Sequence, residues 1–208
     1  MRKWLFAVVG LVAGFSVADA QPNSRTAYTY YTVSGDSAGE LYDSMIRRGP
    51  HVNGAKAYAS TAASSSQQGK LLQGKSCRII DYRLSLKFVI RLPKFANEGA
   101  LSGETRSRWR AFSAFLRKHE ETHRSIWLDC AHSIEAQVTA IRASNCKSAE
   151  AQSVSLWNSI RASCLKRHDA FDAAEQRRLI KHPFVRLVLS KAAEPARGAV
   201  ARKKKRRV

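Results

Sequence analysis

From Thr105 to Ile141 a mainly apolar seam returns every three or four positions, at Trp109, Phe112, Leu116, His119, His123, Ile126, Cys130, Ile134, Val138 and Ile141, with no glycine or proline between them. Only a long α-helix puts such positions on one face, and it needs a partner along its whole length to bury that seam. A turn around Asn145 to Ser148 separates it from a second seam, Trp157, Ile160, Cys164, His168, Phe171, Asp172, Glu175 and Leu179, which stops before Pro183. The connection is short, so the two helices pack as an antiparallel hairpin. His119 and His123 lie in the first seam.

The first half of the chain follows other rules. "TAYTYYTVSG" is rich in β-branched and aromatic residues and reads as a strand. Ser37 and Glu40 make a capping box for a short helix with Leu41, Met45 and Ile46 on its apolar face, ending before Gly49-Pro50. The polar stretch from Tyr58 to about Lys75 is a loop or a weak hairpin. From Cys77 to Leu92, Tyr82, Leu84, Leu86, Phe88 and Ile90 alternate with Arg83, Ser85, Lys87 and Arg91, a strand with one buried and one basic face, ending at Pro93. The expected fold class is α+β: an N-terminal antiparallel or mixed sheet with a short helix, then the helical hairpin.

The 208 residues suffice for one domain with a real core. Its first twenty residues place Arg2 and Lys3 before an apolar run and close on Ala18-Asp19-Ala20. That is a signal-peptide pattern, with cleavage expected after Ala20 and a secreted or periplasmic product. No later stretch is apolar enough for a transmembrane segment. The expected organisation is a signal peptide at 1–20, one domain at 21–190 and a basic, disordered tail at 191–208.

Export favours disulfides for the four cysteines, and none sits in a CxxC pair. Folding the hairpin about residue 147 sets Cys130 against Cys164, which leaves Cys77 for Cys146. The net charge of +20 falls by one to +19 once the leader, with Arg2, Lys3 and Asp19, is removed. Lys203 to Arg207 form a polybasic tail suited to an anionic envelope surface. No motif for specific nucleic-acid recognition accompanies it.

The stretch "KHEETHR" carries the chemistry. HExxH on a helix sets His119 and His123 one turn apart, able to reach a single Zn2+, with Glu120 beside the metal's open position as general base. A third protein ligand is needed. On the hairpin register Asp172 and Glu175 arrive opposite the two histidines, with His168 one turn away, and Asp172 ranks first. Glu135 lies twelve residues beyond His123, about 18 Å along the axis, too far for the same ion.

Together, "YYTVSGDSAGELYDSMIRRGP", "CRIIDYRLSLKFVIRLPKF", "WRAFSAFLRKHEETHR" and "AFDAAEQR" resemble a bacterial family, domain of unknown function 922, described as predicted secreted zinc-dependent proteases. The resemblance runs over about residues 27 to 180. It implies a zincin-like unit that hydrolyses peptide bonds with a zinc-activated water, Glu120 acting as base. It also implies that peptide or protein substrate lies along an edge strand, which by position is Tyr82 to Leu92. The family tends to continue from a Tyr-Asp pair to Thr-x-His-Gly, where this chain has Glu175 and Arg177. The alternative expectation is a non-catalytic basic envelope protein that binds anionic surfaces or partners, with structural zinc or none.

Overall fold

A computed structural model describes residues 23–192, so the expected leader and nearly all of the basic tail lie outside the described residues. The fold is α+β. In chain order it comprises β1 (Asn23–Val33), α1 (Ala38–Arg48), β2 (His51–Val52), β3 (Ala55–Lys56), β4 (Ser60–Gln73), β5 (Cys77–Phe95), a 3-10 turn at Glu98–Ala100, α2 (Gly103–Ala140), β6 (Arg142–Ala143), α3 (Cys146–Lys181) and α4 (Pro183–Ala192).

The sheet is mixed, with order β1-β5-β4. β1 runs parallel to β5 with Asn23 opposite Ser85 and Val33 opposite Phe95, while β4 runs antiparallel with Ser60 opposite Arg91. The polar stretch left open above is therefore a strand, β4, hairpinned to β5. Its Ser, Ala and Gln side chains are exposed or half-buried throughout. It is a strand because β5 beside it supplies a continuous ladder.

β5 is the longest strand and the centre of the sheet. Leu84, Leu86, Phe88, Ile90 and Leu92 are buried, and Arg83, Lys87 and Arg91 are exposed, as their alternation requires. The buried positions are odd at Cys77 and Ile79 and even from Leu84 to Leu92. A β-bulge accounts for the change: the register with β4 slips between Gln68 and Lys70, and Asp81 takes a left-handed φ of 53°. The strand also outruns its expected end at Pro93. Past Arg91 only β1 lies alongside, and proline is tolerated where one side of a strand has no partner.

The helices pack on the face that carries Leu84 to Ile90. One core joins β5 to the C-terminal half of α2 through Ile79, Leu84, Leu86, Phe88, Ala131, Ile134 and Val138. A second gathers α1, the N-terminal half of α2 and α4. In it Phe184 stacks on Phe112 at 5.0 Å and meets Trp109 edge-on at 5.7 Å. Pro183 begins α4 at the first helical position, where its missing N–H costs no hydrogen bond.

α2 and α3 form the antiparallel hairpin. Ser102 caps α2 through the N–H of Thr105, and Asn145 caps α3 through that of Ser148, so Asn145 begins α3 instead of sitting mid-turn. The cysteines pair as Cys130–Cys164 between the two helices and Cys77–Cys146 between β5 and α3. Both bonds are compatible with an oxidising compartment. No described helix is long and apolar enough to cross a membrane.

Candidate metal centre

The hairpin register fixes which side chains meet. Asp129 on α2 pairs with Arg167 on α3 at 2.8 Å, Cys130 is bonded to Cys164, and the same register continued brings His123 and His119 opposite His168, Asp172 and Glu175.

Three atoms converge there. His119 Nε2 and His123 Nε2 are 3.1 Å apart, and Asp172 Oδ1 lies 3.3 Å from the first and 2.9 Å from the second. Donors about 2.0 Å from a tetrahedral zinc ion stand about 3.3 Å from one another. The triangle therefore has the size and the donor chemistry to hold a metal ion. Among the described residues, this trio is the one group of histidine, cysteine and acidic side chains placed to hold a metal.

The other two candidates stand behind these ligands. His168 Nδ1 is 2.8 Å from His123 Nδ1, on the far side of the ring from the donor triangle. With His123 Nε2 given to a metal, its Nδ1–H donates to His168, whose own proton moves to Nε2. That Nε2 is buried and has no hydrogen-bond partner among the described residues. Glu175 is buried, holds Arg178 at 2.9 Å, and has Oε2 4.0 Å from His119 Nδ1. An outer acid or imidazole of this kind sets a ligand's ring orientation and tautomer.

Burial is the main cause of the electrostatics. It lowers the pKa of His119 against the opposing charges of Asp172 and Glu175. For His123 burial also leads, resisted by Asp172 and reinforced by His119. Both imidazoles are thus held neutral, the form that ligates metal. Glu120 is pushed up to about 7 by burial, partly offset by the Thr61 hydroxyl that hydrogen-bonds its carboxylate.

Thr61 was not legible as a site residue. Its Oγ1 lies 2.8 Å from Glu120 Oε2 and 3.0 Å from the Glu120 carbonyl oxygen, tying β4 to α2 at the HExxH turn. Thr61 belongs to the polar stretch that has no strand pattern of its own. The β2–β3 hairpin was missed too, although Asn53 and Gly54, both at positive φ, are a recognisable two-residue turn.

These groups line one cleft of about 430 Å3. β4 supplies Ser60 and Thr61, the β2–β3 hairpin supplies Val52 and Asn53, and Phe115, Leu116 and Leu179 form an apolar end. Gly49 seats that hairpin: a Cβ there would lie 2.3 Å from Ala57 O.

One expectation changes. The strand Tyr82 to Leu92 is no edge, because β1 and β4 flank it on both sides from Ser85 to Arg91, and among the described residues the edge strand at the cleft is β4. Arg177 is exposed and does not line the cleft. Glu135, set aside on distance, accepts a hydrogen bond from the Leu84 N–H at 2.6 Å instead.

Comparison with curated proteins and with solved structures finds no match. A family model matches residues 28–180, most of the chain and all of the residues that build the cleft, and the chain accordingly belongs to the family of bacterial proteins of unknown function DUF922.

Proposed function

We propose that this protein is an exported zinc-dependent metallopeptidase. The observation that carries the reading is the convergence of His119 Nε2, His123 Nε2 and Asp172 Oδ1 to within 3.3 Å of one another, in one cleft with the buried Glu120.

His119, His123 and Asp172 would hold the ion. Bound there, zinc supplies a Lewis acid that polarises a scissile carbonyl and makes water acidic enough to attack near neutral pH. Glu120 takes the proton from that water and returns it to the leaving amine, held in position by the Thr61 hydroxyl. His168 fixes the outer nitrogen of the His123 ring, and the Glu175 carboxylate lies 4.0 Å from that of His119. A free strand edge beside the site favours a peptide substrate, because an extended backbone can pair with β4 along its open side. The leader pattern and the two disulfides agree with work outside the cytoplasm.

The test is to measure zinc content and peptide hydrolysis together. Wild type and Glu120→Gln should both hold one zinc per chain, and hydrolysis should fall by about 10²- to 10⁴-fold in the variant. A wild type that stays metal-free when zinc is supplied ends the reading, as does full activity in Glu120→Gln.

One observation favours a second reading, binding to an anionic envelope surface. The sheet face turned away from the helices carries Arg25, Arg83, Lys87 and Arg91, all exposed, and none in an ion pair among the described residues. Sedimentation with anionic vesicles, unaffected by Glu120→Gln and lost when these four cations are replaced by Ser, would select it.

A further inference from the structure

We infer that the hollow next to the catalytic cleft, between β4 and the two long helices, is a substrate subsite for a bulky apolar side chain. The inference rests on the peptidase reading above.

The hollow arises from the composition of β4. Thr61, Ala63 and Ser65 stand opposite Ile90, Phe88 and Leu86 of β5 and so face the helices. Thr61 is long enough to reach Glu120. Ala63 and Ser65 carry shorter side chains. A space of about 200 Å3 is left under them, floored by Leu84 and Leu86 and walled by Trp127, Ile134 and Trp157. Leu84, Leu86 and Ile134 are buried, and Arg161 is the one charged residue of the lining. Such a site accepts Leu, Met or Phe and disfavours a charged side chain.

The hollow continues the cleft. Trp127 lines both, and β4 borders the cleft with Ser60 and Thr61 and the hollow with Ala63 to Ser65. Three to four strand residues span about 10–13 Å. A peptide paired on the free edge of β4, with its reacting bond level with Thr61, therefore carries the residue three or four positions from that bond past the hollow. Burying an apolar side chain there changes cleavage by about tenfold to a hundredfold.

The experiment digests a randomised peptide library with the zinc-loaded protein and reads the cleavage sites by mass spectrometry. Leu, Met and Phe should be enriched at one fixed position three or four residues from the cleaved bond. Ala63→Leu, a change on an exposed strand position that fills the hollow, should abolish that enrichment while cleavage continues. Binding of a fluorescent peptide of the enriched sequence to metal-free Glu120→Gln protein should weaken about tenfold when its apolar residue is replaced by Ala. Cleavage with no preference at those positions, or a preference that Ala63→Leu leaves intact, overturns the subsite and leaves the peptidase reading standing. Failure to cleave or bind any peptide overturns both.

Discussion

Thr61 and Glu120 are joined across 2.8 Å, hydroxyl to carboxylate, at the point where the edge strand crosses the HExxH helix. The base is thus positioned by the strand that also borders the cleft. Thr61→Val should keep the fold and the metal but lower kcat by about tenfold or more, with Thr61→Ser restoring most of it. The pH-rate profile adds a sign. The Thr61 hydrogen bond lowers the Glu120 pKa, so its loss should move the acidic limb of the profile to higher pH.

Glu120 also sets a pH dependence of stability in the metal-free protein. Burial pushes its pKa up from the ordinary 4.5 to about 7 on folding, so the folded state prefers the protonated acid. Below 4.5 both folded and unfolded forms are protonated and nothing is lost. As pH rises to about 7 the buried carboxylate must ionise, at a cost of up to ~3 kcal/mol. Thermal melts should find Glu120→Gln more stable than wild type at pH 8 and equal to it near pH 4.

Metal removal tests the ligand set. Adding zinc should raise the melting temperature of the metal-free protein, by about 4 kcal/mol of stability at a thousandfold excess over Kd. Asp172→Asn and His119→Ala should each abolish most of that gain. His168→Phe acts through the His123 ring and should weaken zinc binding by about 10- to 100-fold. Arg177→Ala should leave zinc binding unchanged.

The two disulfides should separate by effect. Each closes a long loop, with sequence separations of 34 and 69, and removal of either should cost about 2–4 kcal/mol. Only the Cys130–Cys164 bond joins α2 to α3 near the donor triangle. Replacing that pair by Ala should also loosen zinc affinity, whereas replacing Cys77 and Cys146 should not, as read by competition with a chelating dye.

The helical half was legible because a 3.6-residue period carries its own partner information. Once two long seams face each other across a short turn, Cys130 must meet Cys164 and Asp172 must come near His119 and His123. The sheet half was less so. Ser60 to Gln73 has neither alternation nor β-branched enrichment, and becomes a strand only through hydrogen bonds to β5. Thr61 stayed hidden with it. The central place of β5 depends on the strands beside it, which no residue of β5 encodes. α4 was hidden behind Pro183, which ends one helix and begins the next.

The bulge at Asp81 bears on how this chain can vary. Remove one residue there and Cys77, Ile79, Leu84, Leu86, Phe88 and Ile90 fall into one unbroken alternation on the face they already occupy, whereas one residue lost between Leu84 and Ile90 throws the side chains on one side of the gap onto the opposite face. A length change in the linker before α2 disturbs no such alternation. Insertions and deletions among descendants of this sequence should therefore collect around 96–102, be tolerated at the bulge only where a single residue is lost, and be purged from 84–92, where one codon lost would turn apolar side chains out of the core.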